Sequence, residues 1–167
     1  NYDKLALPIT NDIVHPEHGS AAIRFYVPEG GIVGSHAEAR FLLNIGNNTT
    51  SYNRISIYSL VNGSLILAVR ANEISDTRSV AAASLSTGWH TVVGTWNKAE
   101  RKAAIFLDGV KLKEQTVDET YFIPSWVHPY AYVGNAGNGS IPDNTYHDFV
   151  AFWNRPLTDA EATSIIE

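Results

Sequence analysis

Gly88-Trp89-His90-Thr91-Val92-Val93-Gly94-Thr95-Trp96, followed after Asn97–Arg101 by Lys102-Ala103-Ala104-Ile105-Phe106-Leu107-Asp108-Gly109, is the stretch on which the fold turns. Two β-rich runs are joined by a polar link. Asp108-Gly109 then turns the chain into a third run, Val110–Val117, because both residues tolerate positive φ. The same rhythm continues outward in both directions. Ala21–Val27 is stopped by Pro28-Glu29-Gly30-Gly31, and Ala39–Ile45 runs into Gly46-Asn47-Asn48. Arg54–Leu60 and Leu65–Arg70 flank Val61-Asn62-Gly63-Ser64, whose Asn-Gly pair is a strong hairpin signal. Tyr130–Val133 and Tyr146–Trp153 complete the series. Within one run Ile55 and Ile57 share a face, while Ser56 and Tyr58 share the other, which predicts Tyr58 to look toward solvent.

Short strands joined by hairpin turns predict an all-β chain, an antiparallel β-sandwich of the jelly-roll kind. Only the C-terminus reads as helix. Thr158-Asp159-Ala160-Glu161 has the capping-box form, with Thr158 as N-cap and Glu161 at the third helical position. Leu157, Ala162, Ile165 and Ile166 give that short helix a face to lay on the sheet.

The 167 residues suit a single domain spanning 1–167, large enough to stand on its core alone. Complete absence of Cys removes disulfides, thiolate metal sites and a cysteine nucleophile. Lys and Arg number 12 against 17 Asp and Glu, and the net charge of −5 argues against a nucleic-acid partner, whose binding rests on neutralising phosphates. The densest basic stretch, Lys98, Arg101, Lys102, Lys111 and Lys113, is interleaved with Glu100, Asp108 and Glu114. No run approaches the roughly 20 apolar residues of a membrane-crossing helix, so membrane insertion is not expected.

Three segments carry a family resemblance. Gly88–Trp96 resembles the Trp-His strand of laminin-G-like domains, and Ile105-Phe106-Leu107-Asp108-Gly109 is similar to the strand and turn that follow it there. Asp148-Phe149-Val150-Ala151-Phe152-Trp153-Asn154-Arg155-Pro156-Leu157-Thr158-Asp159-Ala160-Glu161 resembles the closing signature of the same domains. The resemblance is to the bacterial laminin-G-like branch of the concanavalin A-like lectin/glucanase superfamily, and it implies a concanavalin A-like jelly roll. On packing grounds Trp89, Trp96 and Trp153 are expected in the core.

Function is read from what surrounds that frame. Glucanase relatives carry a carboxylate set of the form E-x-D-x-x-E on one strand, and no such pattern occurs here. Glu114, Asp118 and Glu119 are the nearest candidates, running from a hairpin into a loop as solvated charge. Tyr121–Tyr130 is aromatic yet broken by Pro124 and Pro129, so it reads as a loop that offers Trp126 and Tyr130 as platforms for sugar rings. Asn135, Asn138 and Asp143 in the polar loop beyond would bond sugar hydroxyls, with His128, Tyr52 and Tyr58 as further ligand contacts. Trp126→Ala is then expected to abolish binding and spare the fold.

His15-Pro16-Glu17-His18 reads as a surface turn, and His90 as a hydrogen-bonded group near the core. The resemblance implies Ca²⁺ at the rim of the sandwich, with Asp148 as ligand and Asp12 beside it. The expectation is a non-catalytic carbohydrate-binding module, extracellular or at a cell surface, part of a multidomain chain and binding a polysaccharide or glycan. The alternatives are a protein-binding adhesion or spacer module of a surface or phage protein, and a glycoside hydrolase.

Overall fold

The computed structural model describes residues 5–30, 39–47, 53–60, 64–71, 77–81, 85–126, 129–134 and 145–166. In chain order the strands are β1 (Leu5–Pro8), β2 (His18–Val27), β3 (Ala39–Asn47), β4 (Arg54–Leu60), β5 (Leu65–Arg70) and β6 (Thr77–Ala81). They are followed by β7 (Gly88–Asn97), β8 (Lys102–Leu107), β9 (Val110–Thr116), β10 (Pro129–Val133) and β11 (Tyr146–Trp153), and then helix α1 (Asp159–Ser164). A six-stranded sheet runs β1-β10-β3-β4-β5-β6, and a five-stranded sheet runs β11-β2-β7-β8-β9. Every pairing is antiparallel, which is the sandwich that the strand-and-turn rhythm predicts.

The core lies between the inner faces. Ile23, Phe25, Val92, Trp96 and Ile105 come from the five-stranded sheet, and Leu43, Ile45, Ile55, Ile57, Leu67 and Val69 from the six-stranded one. The sheets approach closely at Gly94, where a Cβ would stand 3.0 Å from a Leu67 methyl. The turn at Asp108 (φ 48°) and Gly109 (φ 76°) has both central residues in the left-handed region, as the Asp-Gly pair predicts.

Two strands escape the sequence pattern, β1 and β6, and both are edges of the six-stranded sheet. An edge strand needs only one partner, so β1 can end on Pro8, and its alternation is weak.

Both sheets are also covered in part on their outer faces. On the five-stranded sheet Ala22, Val93, Ala104 and Phe106 are buried under Leu157 and Ala162. On the six-stranded sheet Phe41, Tyr58, Ile66 and Ala68 form a separate buried cluster. Tyr58 is therefore not solvent-facing; it is 3% exposed. Alternation assigns residues to faces, and it is silent on whether the second face meets water.

The capping box of α1 is present. Thr158 Oγ1 accepts from the Glu161 N–H, and the Glu161 carboxylate accepts from the Thr158 N–H at 2.9 Å. Arg155, then the Thr158 N–H, hold the Glu161 carboxyl down to about 2. A carboxyl with a lowered native pKa contributes stability above its ordinary range, and that contribution is lost only as pH falls from about 4.5 toward 2. Thr158→Ala removes the N-cap and is expected to cost about 1 kcal/mol. A thermal melt at neutral pH should show a drop of roughly 2–4 °C, and an unchanged melt would mean that α1 docks without its cap.

Candidate functional site

Because Ile55, Ile57, Leu67 and Val69 point into the core, Arg54, Ser56, Tyr58, Ala68 and Arg70 share the outer face of the six-stranded sheet. Strand register arranges this face in rows. One row reads Tyr130, Gly46, Arg54, Arg70 across β10, β3, β4 and β5. The next reads Tyr132, Asn44, Ser56, Ala68, and the third Phe41, Tyr58, Ile66.

Arg54 reaches along the face, its guanidinium carbon 5.1 Å from the Phe41 ring centroid. The Phe41 and Tyr58 rings lie 5.1 Å apart, and Tyr130 and Tyr132 stand 6.0 Å apart on alternate positions of one strand. Burial, then the neighbouring Tyr130, pushes the Tyr132 phenol up, so it stays a neutral O–H at physiological pH. The Ser56 hydroxyl is buried and lacks a hydrogen-bond partner among the described residues. Two guanidinium forks with five donors each, an amide, a hydroxyl and aromatic rings thus share one face. Such a face can hold a carboxylate and sugar hydroxyls together.

Tyr130 also opens onto a shallow cleft of about 390 Å³ beside β1, lined in addition by Thr10, Asn11, Pro129 and Trp126. The structure thus brings together Trp126 and Tyr130, the two aromatics expected to stack on sugar. Trp126 is, however, 7% exposed, and its indole N–H donates to the Val14 carbonyl at 2.9 Å. A ring so buried is not an open platform for a sugar. The aromatic loop folds inward because its large rings gain more from the core than from water. Asn135, Asn138, Asp143, Tyr52 and His128 lie outside the described residues.

The two residues expected near calcium lie apart from any metal-binding cluster among the described residues. Asp148 already accepts from Arg24 at 2.7 Å, and Asp12 lies exposed in the turn after β1. No group of three or more His, Asp or Glu side chains gathers to hold a metal ion among the described residues. Two of the three hydrolytic candidates are held by neighbours. Lys111 holds the Glu114 carboxyl below the carboxylate range, and hydrogen bonds from Thr120 do the same for Asp118.

His90 joins Asp108 (2.7 Å) and the Ser86 carbonyl (2.8 Å), tying the hairpin turn to the loop before β7. Of the three strand tryptophans placed in the core by pattern, Trp96 is fully buried and Trp153 half-buried, but Trp89 is 46% exposed. Sequence reading also missed Arg54 and Arg70. Their signal was present: each bounds an apolar run at a position that alternates with core residues.

His15 and His18, assigned no common face from sequence, stack with centroids 4.2 Å apart. Burial, then the charge of His18, lowers the His15 pKa, with Glu17 opposing. A base with a lowered native pKa binds protons better when unfolded, so the fold loses stability as pH falls below about 6.5. The melting temperature is expected to decline between about pH 7 and 5, and His18→Gln to flatten part of that decline. A variant with the wild-type slope would show that the pair does not couple.

Two facing antiparallel sheets closed by a short capped helix define a jelly-roll β-sandwich, and the comparisons with known proteins agree. The chain belongs to the concanavalin A-like lectin/glucanase superfamily, whose laminin-G-type family model matches residues 21–163. No curated protein sequence matches it.

Among solved structures it resembles the CBM40 domain of the Ruminococcus gnavus IT-sialidase bound to α2,3-sialyllactose. The TM-score is 0.73 at 16% identity, covering 90% of this chain and 82% of that one. It also resembles the NanB sialidase of Streptococcus pneumoniae, with TM-score 0.75 and 17% identity, where 96% of this chain covers 26% of the enzyme. A SAP-like pentraxin from Limulus polyphemus matches with TM-score 0.67 at 14% identity, covering 97% of this chain and 72% of that one.

Since Trp126 is buried, Trp126→Ala is expected to lower folding stability by about 3–5 kcal/mol, and Trp126→Phe by less. Urea unfolding measures both, and a stable Trp126→Ala variant would return this ring to the list of candidate platforms.

Proposed function

We propose that the chain is a non-catalytic carbohydrate-binding module, and that the outer face of its six-stranded sheet takes a glycan ending in an acidic sugar. The observation that carries the reading is the register of Arg54 with Arg70, beside the buried Ser56 hydroxyl and the half-buried Tyr130. Guanidinium forks match a carboxylate in two parallel hydrogen bonds, as ammonium groups do not.

The α2,3-sialyllactose in the Ruminococcus gnavus CBM40 structure supports a carboxylated sugar as ligand class. No E-x-D-x-x-E carboxylate pattern occurs in the sequence, which fits binding rather than hydrolysis. In this reading the module serves a larger extracellular chain, and its modest affinity is multiplied by attachment to that chain.

Calorimetric titration with 3′-sialyllactose, with lactose as the neutral control, tests the reading. Sialyllactose is expected to bind at least tenfold tighter than lactose, about 1.4 kcal/mol. Arg70→Ala and Arg54→Ala should each remove that preference while the melting curve is kept. Equal binding of the two sugars, or a preference that survives both substitutions, would overturn the assignment.

A further inference from the structure

The opposite side of the sandwich carries a second aromatic surface of different chemistry. In the five-stranded sheet Tyr146, Tyr26 and Trp89 stand in register across β11, β2 and β7. The Tyr26 ring lies 5.5 Å from Trp89 and 6.2 Å from Tyr146. Trp89 is 46% and Tyr146 69% exposed, although α1 and Leu157 cover Ala22, Val93 and Phe106 on the same face. Between the open and the covered parts, Arg24 lays its guanidinium 5.1 Å from the Trp89 centroid and donates to Asp148 at 2.7 Å. Asp148 occupies the irregularity in the β11–β2 register between His147 and Phe149.

We infer that this row is a second carbohydrate site, one that takes an uncharged oligosaccharide. Among the described residues its two charges, Arg24 and Asp148, pair with each other, so the surface they form is locally neutral. An ion pair beside an aromatic ring offers donors and acceptors to neighbouring hydroxyls, and the ring receives the C–H face of a pyranose. The size of the surface favours a small ligand. Aromatic side chains bury 150–250 Å² each, so these partly exposed rings offer on the order of 300 Å². A stable protein partner covers about 800 Å² per side.

The inference does not rest on the acidic-sugar reading, and the experiment separates the two. The ¹⁵N-labelled protein is titrated with cellohexaose, laminarihexaose, xylohexaose and lacto-N-neotetraose, each to about 10 mM, where even a millimolar Kd saturates. The probe is the set of four tryptophan indole N–H signals. Those of Trp96 and Trp126 are bonded to carbonyls inside the fold and serve as internal references.

At least one of the neutral sugars is expected to shift the Trp89 indole signal. Trp89→Ala and Tyr146→Ala, both at exposed positions, should each weaken that sugar at least tenfold. Arg70→Ala should leave it unchanged, and Trp89→Ala should leave sialyllactose binding unchanged. The site is refuted if no sugar of the set moves Trp89, or if neutral-sugar binding survives both aromatic substitutions. A Trp89-dependent dimer in sedimentation, without sugar shifts, would reassign the surface to self-association and equally refute it.

Discussion

Two indole N–H groups converge on consecutive carbonyls: Trp126 on Val14 at 2.9 Å and Trp96 on His15 at 3.0 Å. Trp96 belongs to β7 of the five-stranded sheet, and Trp126 lies just before β10 of the six-stranded one. The segment between β1 and β2 that accepts both bonds is itself the first crossing from one sheet to the other. One short stretch of backbone therefore ties two large rings and two sheets at the same end of the sandwich. Buried indole N–H groups must find acceptors, and these two carbonyls provide them without a cysteine crosslink. The approach leaves no slack: a Cβ at Gly19 would stand 2.8 Å from the Trp96 ring.

Once that end is closed, the inner faces are consumed by packing, and the proposed sites lie on the outer ones. Each outer face is divided differently. On the five-stranded sheet the capped C-terminal helix takes the rows through Ala22 and Val93 and leaves the row of Tyr26, Trp89 and Tyr146 open. On the six-stranded sheet polar groups and rings are set side by side, with Arg54 reaching to Phe41 and Ser56 between Asn44 and Ala68. Strand backbones are stiff, so groups in these rows hold their spacing before any ligand arrives. A preorganised face spares a weak glycan ligand part of the cost of ordering its receptor.

The two faces carry different groups. Arg54 and Arg70 stand in register on one, and on the other Arg24 pairs with Asp148 and stacks on Trp89. The family's frame fixes neither arrangement, since the motifs that reveal membership are turns and core strands. Asp108-Gly109 turns a hairpin, His90 ties it to the preceding loop, and Thr158 with Glu161 caps the helix. The proposed binding residues alternate with the core pattern, where the fold places no demand of its own.

Local physics made the strands, the Asp-Gly turn and the capping box legible in the chain, because period, positive φ and cap geometry involve residues near one another in sequence. β4, β5, β8 and β11 have the boundaries that pattern alone predicts. Alternation likewise placed Tyr58 and Ser56 on one face and Ile55 and Ile57 on the other. Which outer positions meet water was decided only by long-range packing. Tyr58 is sealed beside Phe41 and Ile66, and Trp126 is drawn in by the Val14 carbonyl. Trp89 stays open because the helix covers the other rows of its sheet, and Arg54 meets Arg70 only through strand register. Exposure and juxtaposition depend on residues distant in the chain, and no local pattern encodes them.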